Sequence, residues 1–101
     1  MRQRATLDQV FLTPRGEVVE ALLVLERESG RRERETLALA ASDVRTAAVL
    51  LGRALARRDD VRAVSGCRLR LAGPSAMRDD PALQGVVVEA FRVERRRQDA
   101  A

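Results

Sequence analysis

Six residue types are missing from this 101-residue chain: lysine, histidine, tyrosine, tryptophan, isoleucine and asparagine. Each absence removes chemistry. Without histidine there is no imidazole general base and no Ser-His-Asp or Cys-His pair. Without lysine there is no Schiff base and no phosphate-loop lysine. The one cysteine, Cys67, cannot build an internal disulfide framework. An ordinary protein-only zinc site is also excluded, because it takes about four nitrogen or sulfur ligands. Aromatics are reduced to Phe11 and Phe91, too few for the stacking platforms of most single-strand binders. No apolar run approaches the ~20 residues that cross a bilayer. Met1-Arg2-Gln3-Arg4 leads into a mixed segment instead of the apolar core of a signal peptide. The expectation is a cytoplasmic protein with no cofactor, no metal and no membrane role.

What is present begins with arginine. All 19 basic residues are arginine, set against 15 acidic ones for a formal net charge of +4. Lysine, asparagine, isoleucine and tyrosine, all missing, and the scarce phenylalanine and methionine lean on A/T-rich codons, so the bias is that of a GC-rich genome, bacterial or phage on the simplest reading. The arginine count is therefore not in itself a nucleic-acid footprint. Hydrophobic content of 46% beside 34% charged describes one small globular domain, residues 1–101, with loose ends at 1–4 and 97–101. A domain of this size buries a slim core, and partners often add to it.

Periodicity predicts an α+β fold. Ala5–Leu12 alternates loosely and reads as a strand, followed by turn chemistry at Thr13-Pro14-Arg15-Gly16. Glu17–Arg27 has helix formers, but the tight turn before it and apolar residues on both faces favour a strand. Thr36–Ala41 is a short third strand. Ser42 is placed to cap a helix running to about Arg58, with Val44, Ala47, Ala48, Leu51, Ala54 and Leu55 on one stripe. Cys67, Leu69 and Leu71 alternate with Arg68 and Arg70 as a half-buried strand. Gly73–Gln84 reads as a loop and Gly85–Arg95 as a last strand, whose Gly85–Val93 echoes Gly16–Val24. The order expected is β-β-β-α-β-β, an antiparallel sheet of about five strands with one helix on one face.

On that fold the strongest signal is an apolar surplus. Val18, Leu22 and Val24 oppose Val19, Leu23 and Leu25, while Val86 and Val88 oppose Val87, Phe91 and Val93. Val49 and Leu50 fall outside the helix's main stripe. One helix covers one face, and an antiparallel sheet normally shows polar residues on the other. Val18, Leu22, Val24, Val86, Val88, Val49 and Leu50 are thus candidate interface residues, covered by a second copy of the chain or by a larger protein. The expected function is a small non-enzymatic protein-interaction module, a homodimer or an accessory subunit, that acts by binding.

Two further sets bear on other functions. Arg68 and Arg70, with Arg92, Arg95, Arg96 and Arg97, are candidates for binding an anion or nucleic acid. Arg78, Asp79 and Asp80 lie in the long loop and are candidate binding residues there. Asp59-Asp60 reads as solvated turn chemistry, and Cys67 as an inert core residue. The strand, Arg15-Gly16 turn, strand, charged loop and Thr36-Leu37-Ala38-Leu39 leading into a helix resemble the single-strand-binding families of positive cofactor four and Pur-alpha. The resemblance covers about Phe11–Leu55 and implies a nucleic-acid-binding module with a curved sheet in a dimer. The chain departs from those families in its missing aromatics and in the strands after the helix. Carboxylate or metal-dependent catalysis is the remaining alternative.

Overall fold

Gly16 sets the first turn. In the computed structural model, which describes residues 3–100, its φ is 72°, and no non-glycine residue has a positive φ. That is the pattern of a two-residue type II′ hairpin, which matches the natural twist of its strands. It joins β1 (Ala5–Arg15) to β2 (Val18–Arg27) in antiparallel register. The turn falls at Gly16-Glu17, so Pro14 lies inside β1 opposite Val19. β3 (Arg32–Leu39) adds to β2, again antiparallel. Helix α1 (Val44–Ala56) then carries the chain to β4 (Val61–Ala63), β5 (Arg68–Ala72) and β6 (Met77–Asp79) before helix α2 (Pro81–Ala100).

The sheet is mixed. Its order is β3-β2-β1-β5-β6, with β4 also on β1, and both β4 and β5 run parallel to β1. The purely antiparallel, five-stranded expectation is therefore corrected to six strands and two helices in the order β-β-β-α-β-β-β-α. The crossover through α1 returns the chain beside β1 in β1's own direction, as a helical connection between parallel strands does.

Residues 85–95 are the main correction. They form the middle of α2, not a strand. Asp80 accepts a hydrogen bond from the Leu83 backbone N–H at 3.0 Å, an N-cap, and Pro81 fits the first helical position. Leu83 and Val87 are buried and Phe91 packs beside them, a helical stripe that the run of valines disguises as alternation. Valine costs a helix only a few tenths of a kcal/mol per residue, so capping and packing win. The two echoing segments thus adopt different structures, one a strand and one a helix. The expected loop at 73–84 contains β6 and the first turn of α2. Similarly, Asp43 and not Ser42 caps α1, accepting from the Thr46 N–H and hydroxyl, and α1 ends at Ala56, before Arg58. Residues 97–100 continue α2, while positions 1, 2 and 101 lie outside the described residues.

A bulge decides which side chains of β1 reach the core. Leu7 pairs with Leu25 and Gln9 with Val24, leaving Asp8 as the extra residue. Without it, Ala5 and Leu7 would point opposite to Val10 and Leu12. With it, all four face the helices and are buried. They meet Val19, Ala21, Leu23 and Leu25 of β2, Leu69 of β5, Ala47, Ala48, Leu51 and Leu55 of α1, and Leu83 and Val87 of α2 in one core. Each fully buried leucine contributes roughly 2 kcal/mol of transfer free energy. α1 and α2 cross at Gly52, where a Cβ would sit 2.5 Å from the Val87 carbonyl oxygen and 2.7 Å from the Ala90 Cβ. Both helices cover one face of the sheet, and no element among the described residues covers the other. No helix among the described residues is long and apolar enough to cross a membrane.

Candidate interaction face

Strand pairing assembles the uncovered face row by row. Phe11 stands between Leu22 and Arg70, with Thr36 beyond Leu22 and Asp79 beyond Arg70. In the next row Gln9 lies between Val24 and Arg68, with Arg34 beyond Val24. Phe11, Leu22 and Val24 thus form an apolar floor at the centre of the sheet. None belongs to the core cluster on the other side; Phe11 and Leu22 are half-buried, and Val24 is 9% exposed. Gln9, Thr13 and Glu20 add polar groups, and Arg32, Arg34 and Met77 bound the same hollow, a trough of about 630 Å³.

Charges around the floor are largely paired. Arg32 lies 3.3 Å from Asp8, the bulge residue, and Arg15 3.1 Å from Glu20. Arg68 donates to both Asp79 oxygens at 2.9 and 3.1 Å, and Arg70 lies 3.5 Å from Asp79 while its guanidinium stands 5.8 Å from the Phe11 ring centroid. The Arg68 guanidinium holds the Asp79 carboxyl below the usual carboxylate range. Arg34 is exposed and makes no ion pair with another described residue.

The candidates from sequence divide between the two sides of the molecule. Val18, Leu22 and Val24 do share the open face, Val18 at its hairpin end and 38% exposed. Val86, Val88, Val49 and Leu50 sit on the helices, on the opposite side. Leu50, Val86 and Val88 pack against the core, and Val49 lines a groove between α1 and α2. Of the arginines, Arg68 and Arg70 border the open face. Arg92 and Arg96 lie on α2 near Glu89, at 3.6 and 3.8 Å, and Arg97 is exposed in its last turns. Arg95 turns inward: it donates to the carbonyls of Ala56, Arg58 and Val61 at 2.7, 2.9 and 2.6 Å and stacks 4.6 Å from the Phe91 centroid. It caps the end of α1 and the loop after it. Arg78 and Asp79 are strand residues of β6, and Asp80 is the cap of α2.

Sequence reasoning missed two features. Phe11, Arg32 and Arg34 were not singled out for the open face. The signal for β3 was present, since Arg32, Arg34, Thr36 and Ala38 alternate with Glu33, Glu35, Leu37 and Leu39. The other is Asp60, which is 3% exposed and not a solvated turn residue. Arg58 donates to it at 3.0 and 2.9 Å and Arg27 at 2.9 Å. Arg27 also holds Glu33 and the Gln3 carbonyl, and Arg58 holds Glu35. Adjacent aspartates give no sequence cue that one is buried.

Two chemically interesting groups are held by their surroundings. The two arginines, Arg58 first, hold the Asp60 carboxyl far below the usual range, so it is no proton acceptor at neutral pH. Burial pushes the Cys67 thiol up to about 11, far from a nucleophile's value. No group of three or more metal-ligating side chains occurs among the described residues. Comparison with protein-family models, curated proteins and solved structures finds no significant match to this chain.

Proposed function

We propose that the protein is a non-enzymatic interaction module, an accessory subunit that holds a partner polypeptide on the open face of its sheet. The observation that carries this reading is the apolar floor of Phe11, Leu22 and Val24 on the one face that no helix covers. Part of the apolar surplus in the sequence is absorbed internally, because the valines of 86–88 belong to the second helix. The surplus on β2 is not. An uncovered face whose antiparallel part, β1 to β3, still presents Val18, Leu22 and Val24 beside Phe11 is suited to a partner. Self-association through the same face is the competing occupant. Two hollow faces set against each other would leave the trough unfilled, and close packing penalises that. The nucleic-acid reading is weakened because Arg32, Arg68 and Arg70 already answer carboxylates and only one ring lines the floor.

The test is selection of random peptides displayed on phage against the wild-type chain, with Leu22→Asp as counter-selection. Leu22 is only half-buried, so this variant should keep its fold, checked by circular dichroism. Selected peptides should shift amide resonances of Phe11, Leu22 and Val24 and lose binding to Leu22→Asp. Peptides that bind both proteins equally, or that map to the helical side, would refute the reading. So would a wild-type dimer in sedimentation that Leu22→Asp converts to an 11.2 kDa monomer.

A further inference from the structure

The occupant of the trough is constrained by shape and by charge, granted the reading above that a polypeptide binds there. Four inter-strand spacings separate β3 from β6, about 19 Å at ~4.8 Å each. Side chains line the hollow from both sides, Arg32 and Arg34 from β3 and Met77 from β6. A strip of sheet this wide is enough to seat one α-helix, about 10 Å across with its side chains. The floor offers Phe11 and Leu22 side by side and Val24 one step along β2, a short apolar patch of the kind that a helix meets with residues at i, i+3, i+4 and i+7.

Charge then selects the helix. Arg32, Arg68 and Arg70 are matched by Asp8 and Asp79. Arg34 borders the floor directly opposite Val24, where its strand partner offers no carboxylate. Among the residues that line the hollow the open charge is therefore positive, while the exposed acid of the same face, Glu26, lies beyond Val24 and outside that lining. Glu20, the acid among the lining residues, is already held by Arg15. A helix of a second copy does not answer it. The outer surfaces of α1 and α2 carry Arg45, Arg53, Arg92, Arg96 and Arg97 against Glu89 and Asp99, with Glu94 held by Arg57, and would bring net like charge to Arg34. We propose that the trough receives an amphipathic helix of another protein, its apolar stripe flanked by aspartate or glutamate.

Two fluorescein-labelled helical peptides of about 16 residues test this, with leucines at i, i+3, i+4 and i+7 spacing. One has glutamate on the flanks and the other lysine. A thymidine oligonucleotide is a third probe. The glutamate peptide should bind the wild-type chain with its anisotropy change saturating, about tenfold tighter than the lysine peptide. Arg34→Glu, on an exposed edge strand, should reverse that preference. Phe11→Asp should abolish both, with Leu22→Ala as a milder variant if Phe11→Asp melts early. Equal binding of the two peptides, an Arg34→Glu chain with unchanged preference, or tighter binding of the oligonucleotide would overturn the proposal. If phage-selected peptides occupy the trough but are basic or extended, the helix proposal fails and the interaction reading stands. If no peptide reaches the trough, the interaction reading fails as well.

Discussion

Gly52 in the middle of α1 should resist replacement by alanine, although alanine is the better helix former. In an exposed helix interior the exchange would gain about 1 kcal/mol. Here the added Cβ would meet α2 at 2.5 Å (Val87 carbonyl oxygen), 2.7 Å (Ala90 Cβ) and 2.9 Å (Phe91 backbone nitrogen). Ordinary contact begins near 3.4 Å, so the helices must part by up to about 1 Å. None of the three atoms is the free end of a flexible side chain. Parting by 0.5–1 Å forfeits roughly a quarter to a half of each dispersion contact along the seam, and overpacking typically costs about 1–3 kcal/mol. The expected net loss is about 1–2 kcal/mol. For a chain of this length that lowers Tm by roughly 4–8 °C per kcal/mol. Gly85, inside α2, is the internal control: a Cβ there meets nothing within 4 Å. Gly85→Ala should therefore gain up to about 1 kcal/mol. Urea and thermal melts of the two variants should move in opposite directions. Gly52→Ala melting at or above wild type would refute the close crossing.

Three further outcomes are expected. Asp60→Ala leaves Arg27 short of a buried counter-charge, and loss of one partner of a buried pair costs about 3–5 kcal/mol, so its urea midpoint should collapse. Because arginine holds the folded-state Asp60 carboxyl below its unfolded value, its contribution is present in full above about pH 4 and drains as pH falls further. Wild-type urea midpoints should fall from pH 5 to about pH 2, and Asp60→Asn should lose less over the same interval. Arg95→Met keeps a stem over Phe91 but removes the donors to three carbonyls, and should cost about 2 kcal/mol or more. The exposed neighbour Arg97→Ala should stay within about 0.5 kcal/mol of wild type. Cys67, 1% exposed and with its thiol raised to about 11, should remain unlabelled by a thiol reagent at pH 8 until urea opens the fold, and Cys67→Ala should cost about 1 kcal/mol.

How far the sequence was legible depends on the range of the interaction that decides each element. The first hairpin, α1 and the second half of the third strand follow from local patterns: a glycine turn, a single apolar stripe and alternation. The third strand begins at Arg32 and ends at Leu39, not at Thr36 and Ala41, because its first half is a run of charges that reads as a turn. α2 was misread because Val86-Val87-Val88 satisfies a strand pattern locally. Its true stripe, Leu83, Val87 and Phe91, shows only once Asp80-Pro81 is taken as a cap and first turn. The parallel pairing of β5 with β1 is a contact across more than fifty residues, from Gln9 to Arg68, and no local pattern encodes it. The open face was half legible. Val18, Leu22 and Val24 share a side by simple alternation, and Phe11 joins them through the hairpin register; the Asp8 bulge hides this by turning Ala5 and Leu7, which alternation would put on the side of Phe11, to the opposite face.

Arginine abundance and arginine availability are different quantities, and the second is what bears on function. In a chain without lysine, histidine, tyrosine or tryptophan, arginine must also satisfy buried polar groups. Arg27 and Arg58 neutralise Asp60, and Arg95 closes the carbonyl end of α1. Arg68 and Arg32 fasten Asp79 and the bulge residue Asp8. These guanidinium groups are occupied by the fold, and a ligand recruiting them would have to displace carboxylates or main-chain carbonyls held at hydrogen-bond distance. Arg34 stands apart because it borders apolar side chains on the uncovered face with no carboxylate opposite it. A positive charge left open beside the half-buried Phe11 and Leu22 and the buried Val24 contributes least to the isolated fold and most to a complex. For that reason Arg34→Glu should leave Tm almost unchanged while reversing the charge preference of whatever binds.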